Sequence, residues 1–246
     1  MQVTVLGFWA AYPAAGGATS GYLFEAEGYT MLVDCGSAVV SRLGGCMDIN
    51  DLDSVLISHF HSDHCADLRC LQHAVHIQIQ LGYRKKNLAA YGPKDPEPTE
   101  ELDYQGVVRG IEFDEKSTIQ NGPFFMEFSH NTHDRLSFAV KIQAEDTVVV
   151  YTGDTGWYEG LPAFCAGADL LICETSLYNK FDGKVPGHLS AREAGELAVK
   201  AGPKHMLLSH LPPYEDQGLL LSQAKISAKD FAGGMELARE GWNMRW

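Results

Sequence analysis

The stretch Ser58-His59-Phe60-His61-Ser62-Asp63-His64 sets three imidazoles and a carboxylate within six residues. It ends Asp53-Ser54-Val55-Leu56-Ile57-Ser58, a compact run of buried-strand type. Residues i and i+2 of an extended segment project to one side, so His59 and His61 share a face. A turn into the next helix then brings Asp63 and His64 beside them. Imidazole and carboxylate are the ligands that zinc and similar divalent ions prefer. A surface histidine tract, or histidines satisfied within a core, is the plainer reading. It does not explain why the cluster sits between Leu56-Ile57 and an apolar helix.

Downstream, Leu68, Leu71, Val75 and Ile79, with Ala66 and Ala74, recur near helical spacing and predict a helix from Asp63 to Leu81. Upstream, strands are expected at Gln2–Trp9, Gly21–Ala26 and Thr30–Asp34. The last two form a hairpin turning at Glu27-Gly28, followed by a short helix at Ser37–Leu43. The glycine-rich segment Gly16–Gly21 lacks the Lys-Ser/Thr and GxGxxG patterns of a phosphate cradle and reads as a rim loop. Lys94–Glu101, rich in Pro, Asp and Glu, is a loop and the expected insertion point or lid.

The second half returns to strands at Gly110–Phe113, Phe124–Ser129, Ser137–Gln143, Thr147–Tyr151, Asp169–Cys173 and His205–Ser209. Helices are expected at Leu161–Ala166, Ser190–Ala201 and Leu220–Phe231, before an apolar tail to Trp246. Ser190 with Glu193 makes a capping box, and Gly202-Pro203 stops that helix. Two strand-rich halves with helices between them predict two packed sheets with helices outside.

At 246 residues, 45% hydrophobic and 21% charged, the chain can bury a large core, which excludes a disordered tail protein. No apolar run approaches the roughly 18 residues of a membrane span, and the first residues lack a secretory signal. A soluble, cytoplasmic protein is expected, with no membrane partner. Lys plus Arg number 19 against 32 Asp plus Glu, a formal charge of −13, which disfavours long nucleic acid as a partner. Six cysteines without CxxC spacing fit reduced packing residues better than disulfides or a zinc ribbon.

The HxHxDH pattern after a buried strand resembles the signature of the metallo-β-lactamase fold. That resemblance implies an α+β fold, a four-layer αββα sandwich, with residues 1–246 as a single domain. It also implies three further ligands near strand ends: a His, an Asp and a final His. His133, Asp154 and His210 stand in those slots in order. By the resemblance, one ion is held by His59, His61 and His133 and the other by Asp63, His64 and His210, with Asp154 bridging. Two divalent ions about 3.5–4 Å apart can share a hydroxide as nucleophile. Zinc is the first expectation for both, with manganese or iron as alternatives. His130 competes for the slot of His133, which is preferred because it lies past the strand end. Asp34-Cys35-Gly36 matches a recurring Asp-x-Gly whose Asp supports the metal loop through hydrogen bonds. Cys65, Cys165 and Cys173 read as packing residues.

Gly187-His188-Leu189-Ser190, Cys173-Glu174-Thr175 and Leu207-Leu208-Ser209-His210-Leu211-Pro212-Pro213-Tyr214 resemble segments of the ribonuclease Z branch. There a His-Glu pair supports the leaving oxygen. The resemblance implies that His188, held by Glu174, protonates the departing alkoxide, and Asp63 joins them among the catalytic candidates. The span from His133 to Asp154 leaves no room for the long basic arm of the tRNA-processing members. The nearest resemblance is to short bacterial members without that arm.

The expected function is therefore a dinuclear phosphodiesterase acting on a small anionic substrate: a cyclic nucleotide, a dinucleotide or an RNA end. The alternatives are a hydrolase of a carboxylic ester, lactone or thioester, and a non-catalytic metal-stabilised binding protein. Arg135 is a candidate anion contact, and Trp9, Trp157, Tyr178 and Tyr214 are candidate pocket aromatics or packing residues. A homodimer, with the helix from Asp63 to Leu81 at its interface, is also consistent with that branch.

Overall fold

The computed structural model describes residues 1–96 and 101–246. The chain divides into two compact units, Met1–Asp114 with Arg239–Trp246, and Glu115–Ala238. Each is built on a seven-stranded mixed sheet flanked by helices.

The first unit contains β1 (Gln2–Gly7), β2 (Gly21–Ala26), β3 (Tyr29–Val33), α1 (Val39–Cys46), β4 (Ser54–Leu56), α2 (Ser62–Cys65), α3 (Leu68–Gln80), β5 (Leu88–Pro93) and β6 (Val108–Phe113). The final strand of the chain, Asn243–Arg245, pairs with β1 to complete this sheet. Strands β1 to β3 are antiparallel, whereas β3 to β6 are parallel. The expected hairpin turns at Glu27 and Gly28, both with positive φ. Leu23, Leu32, Val55 and Ile57 join Leu68, Leu71 and Val75 of α3 in one apolar core.

The second unit contains β7 (Thr118–Asn121), β8 (Phe124–His130), β9 (Phe138–Ala144), β10 (Thr147–Tyr151), α4 (Leu161–Cys165), β11 (Leu170–Glu174), α5 (Ala191–Ala201), β12 (His205–Ser209), α6 (Gln217–Ser227) and β13 (Gly234–Leu237), leaving the final strand as β14. Its sheet runs β13-β12-β11-β10-β9-β8-β7. Strands β10 to β13 are parallel and β7 to β10 antiparallel. Along β8, Phe124, Met126 and Phe128 are buried while Phe125 and Glu127 are exposed, the period of two of a one-sided strand. Central β11 is buried throughout, as a parallel strand covered on both faces should be.

In each sheet the candidate residues lie at the C-terminal ends of strands. Strands β3 and β4 run in one direction and end before Asp34 and His59. In the other sheet β8, β10, β11 and β12 also share a direction. They end at or before His130 and His133, Asp154, Glu174 and His210. The C-terminal ends of parallel strands are where α/β sheets gather their sites.

The expected helix over Asp63–Leu81 is two helices, α2 and α3, broken at Ala66 and Asp67. Asp67 is held elsewhere: its carboxylate accepts from Val40 N at 3.0 Å and its own N donates to Cys35 O at 3.0 Å. Strands β5, β7, β13 and β14 were not anticipated, and the apolar tail is partly strand. The expected loop or lid at Lys94–Glu101 falls partly outside the described residues. Among the described residues no helix is long and apolar enough to cross a membrane.

Candidate metal centre

In the first unit, Asp34 is the hub. It is fully buried at the end of β3, with φ +57°. Its Oδ1 accepts from Ser58 N at 2.7 Å, and its Oδ2 accepts from Ser58 Oγ at 2.9 Å and from His64 Nδ1 at 2.7 Å. Ser58 Oγ also lies 3.1 Å from His59 Nδ1. A carboxylate only accepts, so the Ser58 proton points to Asp34 and the Ser58 oxygen accepts from His59 Nδ1–H. Both rings then carry hydrogen on Nδ1, and in the neutral form the lone pair is on Nε2. His64 Nε2 faces Asp63 Oδ2 at 3.6 Å. The rings of His59 and His64 are 4.1 Å apart, and those of His59 and His61 are 5.0 Å apart.

Backbone contacts fix the loop as well. Ser20 N donates to Asp63 O at 3.1 Å and Cys35 N to His64 O at 2.8 Å. Gly36 is the residue that permits this approach, because a Cβ there would overlap Asp63 O and Thr19 Oγ1. The Asp-x-Gly reading thus acquires a cause for each of its two named residues.

In the second unit, Asp154 is 2% exposed beyond the end of β10. Buried Asn131 holds its backbone, donating to Asp154 O at 3.0 Å and to Thr152 O at 2.8 Å. His210 Nε2 lies 3.2 Å from Asp154 Oδ1, and His133 Nε2 lies 4.0 Å from Asp154 Oδ2. His133 Nδ1 donates to the carbonyl of Gly187 at 2.9 Å, and its Nε2 lies 3.2 Å from Asp134 Oδ1. Gly187 has φ +88° and sits so close to His133 that a Cβ would stand 2.8 Å from Nδ1. His130 ends β8, exposed, with its ring edge-on to Phe138 at 5.7 Å.

Glu174, 1% exposed, bonds on both carboxylate oxygens. Oε1 accepts from His188 Nδ1 at 2.9 Å and Thr155 N at 3.2 Å, and Oε2 accepts from Ser176 N at 3.1 Å and Ser176 Oγ at 2.8 Å. Glu174, His188 and His210 offer ligand-type atoms within 4.8 Å of one another. The His188 and His210 rings stack at 5.7 Å.

Of the other expectations, all six cysteines are free, but Cys46 and Cys70 are exposed rather than packed. Cys35, Cys65, Cys165 and Cys173 are buried, and burial pushes the Cys165 thiol up to about 12. Tyr178 is buried, with its hydroxyl donating to Tyr214 O, while the Tyr214 side chain is exposed. Trp157 lies under Lys200 Nζ at 4.6 Å. Ser58, Ser176, Asn131 and the carbonyl of Gly187 are the supporting groups that residue chemistry alone did not single out.

The description Beta-lactamase superfamily domain is that of a family model matching residues 29–211. The probable metallo-hydrolase YhfI of Bacillus subtilis (strain 168) is 38% identical over 243 residues, 98% of each chain. The crystal structure of the metallo-beta-lactamase fold protein YhfI from Bacillus subtilis agrees with a TM-score of 0.92 at 37% identity, over 99% of both chains. A ribonuclease Z of Mycobacterium sp. (strain KMS) is 28% identical over 253 residues, 87% of this chain and 85% of that one. Histidines and carboxylates gathered at strand ends, the two mixed sheets and these likenesses agree: the chain has the metallo-β-lactamase fold and belongs to the beta-lactamase superfamily, among its metallo-hydrolases.

Proposed function

We propose that this chain is a dinuclear metal-dependent hydrolase that cleaves a small or short phosphodiester, such as a cyclic nucleotide, a dinucleotide or an RNA end. One ion is assigned to His59, His61 and His133 and the other to Asp63, His64 and His210, with Asp154 shared. Zinc is the first candidate for both, before manganese and iron. The donor set fits such ions. His59, His64 and His133 each have Nδ1 committed to an acceptor, so Nε2 is the nitrogen each can offer a metal. When bound, divalent ions polarise a phosphoryl oxygen and acidify water.

The observation that carries the reading is the 2.9 Å contact between Glu174 Oε1 and His188 Nδ1. Glu174 takes Nδ1–H of His188 and fixes the ring, whose side chain is 21% exposed, so that a hydrogen carried on the opposite Nε2 is placed to pass to a departing oxygen. A thiolate leaves without such help, whereas an alkoxide needs it. This favours an oxygen ester over a thioester. The ribonuclease Z relative supports the phosphodiester within that class.

The test compares purified wild type with His61→Ala and His188→Ala on an aryl and an alkyl phosphodiester, beside lactone and thioester substrates. Wild type should hold more than one metal ion per chain, and His61→Ala should lose turnover. His188→Ala should lose about 10²–10⁴-fold on the alkyl leaving group and far less on the aryl one. Less than one metal per chain, or intact aryl phosphodiesterase activity in His61→Ala, rejects the proposal. Faster lactone or thioester turnover moves the substrate class.

A further inference from the structure

We infer that Ser176 is a positioning residue whose hydroxyl couples the buried Glu174 carboxylate to His210 and fixes which nitrogen of that ring is left to bind metal. Ser176 Oγ is 2.8 Å from Glu174 Oε2 and 2.8 Å from His210 Nδ1. Its own backbone N donates to the same Glu174 oxygen at 3.1 Å, which fixes the backbone from which the hydroxyl projects. An ionised carboxylate offers no hydrogen. The Ser176 proton therefore goes to Glu174, and the lone pairs of Oγ are left to receive Nδ1–H of His210.

The opposite side of the ring makes this choice matter. His210 Nε2 is 3.2 Å from Asp154 Oδ1. In the metal-free chain Asp154 favours hydrogen on Nε2, which removes the lone pair a metal needs. The pair Glu174 and Ser176 favours hydrogen on Nδ1, which keeps that lone pair. Ser176 decides a contest between two carboxylates over one proton. His188 needs no such relay, because its Nδ1 reaches Glu174 directly at 2.9 Å. Ser176 Oγ lies 3.4 Å from His188 Nδ1, a longer contact that leaves the shorter one to His210.

The first unit repeats the arrangement with different residues. Asp34 takes His64 directly at 2.7 Å and reaches His59 through Ser58 Oγ, at 2.9 and 3.1 Å. In each unit one buried carboxylate at a strand end orients one histidine by itself and a second through a serine. The recurrence supports a role for the hydroxyl beyond filling space.

The consequence for metal rests on the reading of His210 as a ligand, whereas the tautomer itself does not. The experiment is long-range ¹H–¹⁵N NMR of histidine-labelled, metal-free protein in alkaline buffer, with the His210 signals identified by their loss in His210→Gln. Zinc affinity is then measured by competition with a chromophoric chelator. Wild type and Ser176→Thr should show His210 protonated on Nδ1. Ser176→Ala should move the hydrogen to Nε2 and weaken zinc binding about 10–100-fold, with Ser176→Thr close to wild type. An unchanged His210 tautomer in a folded Ser176→Ala protein overturns the inference. A shifted tautomer with unchanged zinc affinity overturns its metal consequence. In that case His210→Gln identifies the failing step: if it too binds zinc normally, the ligand assignment is wrong.

Discussion

At Gly36 a side chain would have to share space with the carbonyl oxygen of Asp63 and the hydroxyl of Thr19. Thr19 Oγ1 is already committed, accepting from Ser37 N at 2.6 Å, and the Asp63 carbonyl accepts from Ser20 N. Neither neighbour is the loose end of a flexible chain. Gly36→Ala should therefore destabilise by about 1–3 kcal/mol, the usual cost of overpacking. Gly44 is the opposite case: it is exposed within α1, and a Cβ there meets nothing within 4 Å. Gly44→Ala should stabilise by about 0.5–1 kcal/mol through helix propensity alone. Urea unfolding of both variants checks the pair, and equal shifts would deny that the metal loop needs a glycine at Gly36. The sequence displays the two glycines alike. Ser58 and Ser176 are equally inconspicuous, because a hydroxyl that relays one hydrogen bond has no spacing signature. The ligand-type residues were legible for the converse reason: three imidazoles and a carboxylate packed into His59–His64 have little other use.

The N-terminus of α5 is secured by charge as well as by its capping box. Arg192 Nε donates to Asp182 Oδ2 at 2.7 Å, Ser190 Oγ donates to Asp182 Oδ1 at 3.1 Å, and Arg192 N donates to Asn179 Oδ1 at 2.8 Å. These bonds close the chain between Asn179 and Arg192, the span that carries Gly187 and His188. The Arg192 guanidinium holds the Asp182 carboxyl below its usual range. A group whose folded pKa is depressed stabilises fully above its unfolded value, near 4, and loses that contribution as pH falls through the folded value. Acidification below about pH 4 should thus loosen this span in wild type. Asp182→Asn should already show the loosening at neutral pH, with little further change on acidification. Amide exchange over Asn179–Arg192 reads the effect, and a wild-type acid response retained in Asp182→Asn would assign it to another carboxyl. The capping box and the Gly202 stop were legible because local side chains specify them. Strands β5, β7, β13 and β14 were not: all but β5 are three or four residues long, and all but β5 owe their place to a sheet-edge partner rather than to alternation. The break between α2 and α3 was hidden for a related reason, since Asp67 is engaged by Val40 and Cys35, far off in sequence.

For the molecule as a whole, the charge of −13 and the short path from His133 to Asp154 bear on the same question. That path is occupied by β9, a turn at Glu145-Asp146 and β10, a plain hairpin whose tip is acidic. A protein that grips a polyanion neutralises its phosphates, and its affinity falls steeply as salt rises. Here the summed field has the opposite sign, so salt should screen repulsion rather than weaken attraction. We therefore expect kcat/KM on a long RNA to rise, or at least not to fall, between low and physiological ionic strength. A dinucleotide, which reaches the site with little charge left outside it, should change far less. Activity on the dinucleotide should also exceed that on a precursor tRNA of equal 3′ sequence. Steady-state rates on the three substrates across a salt series decide the matter. A steep decline with salt on the long substrates would mean that the chain carries a basic footprint its net charge conceals, and would return tRNA to the list of substrates.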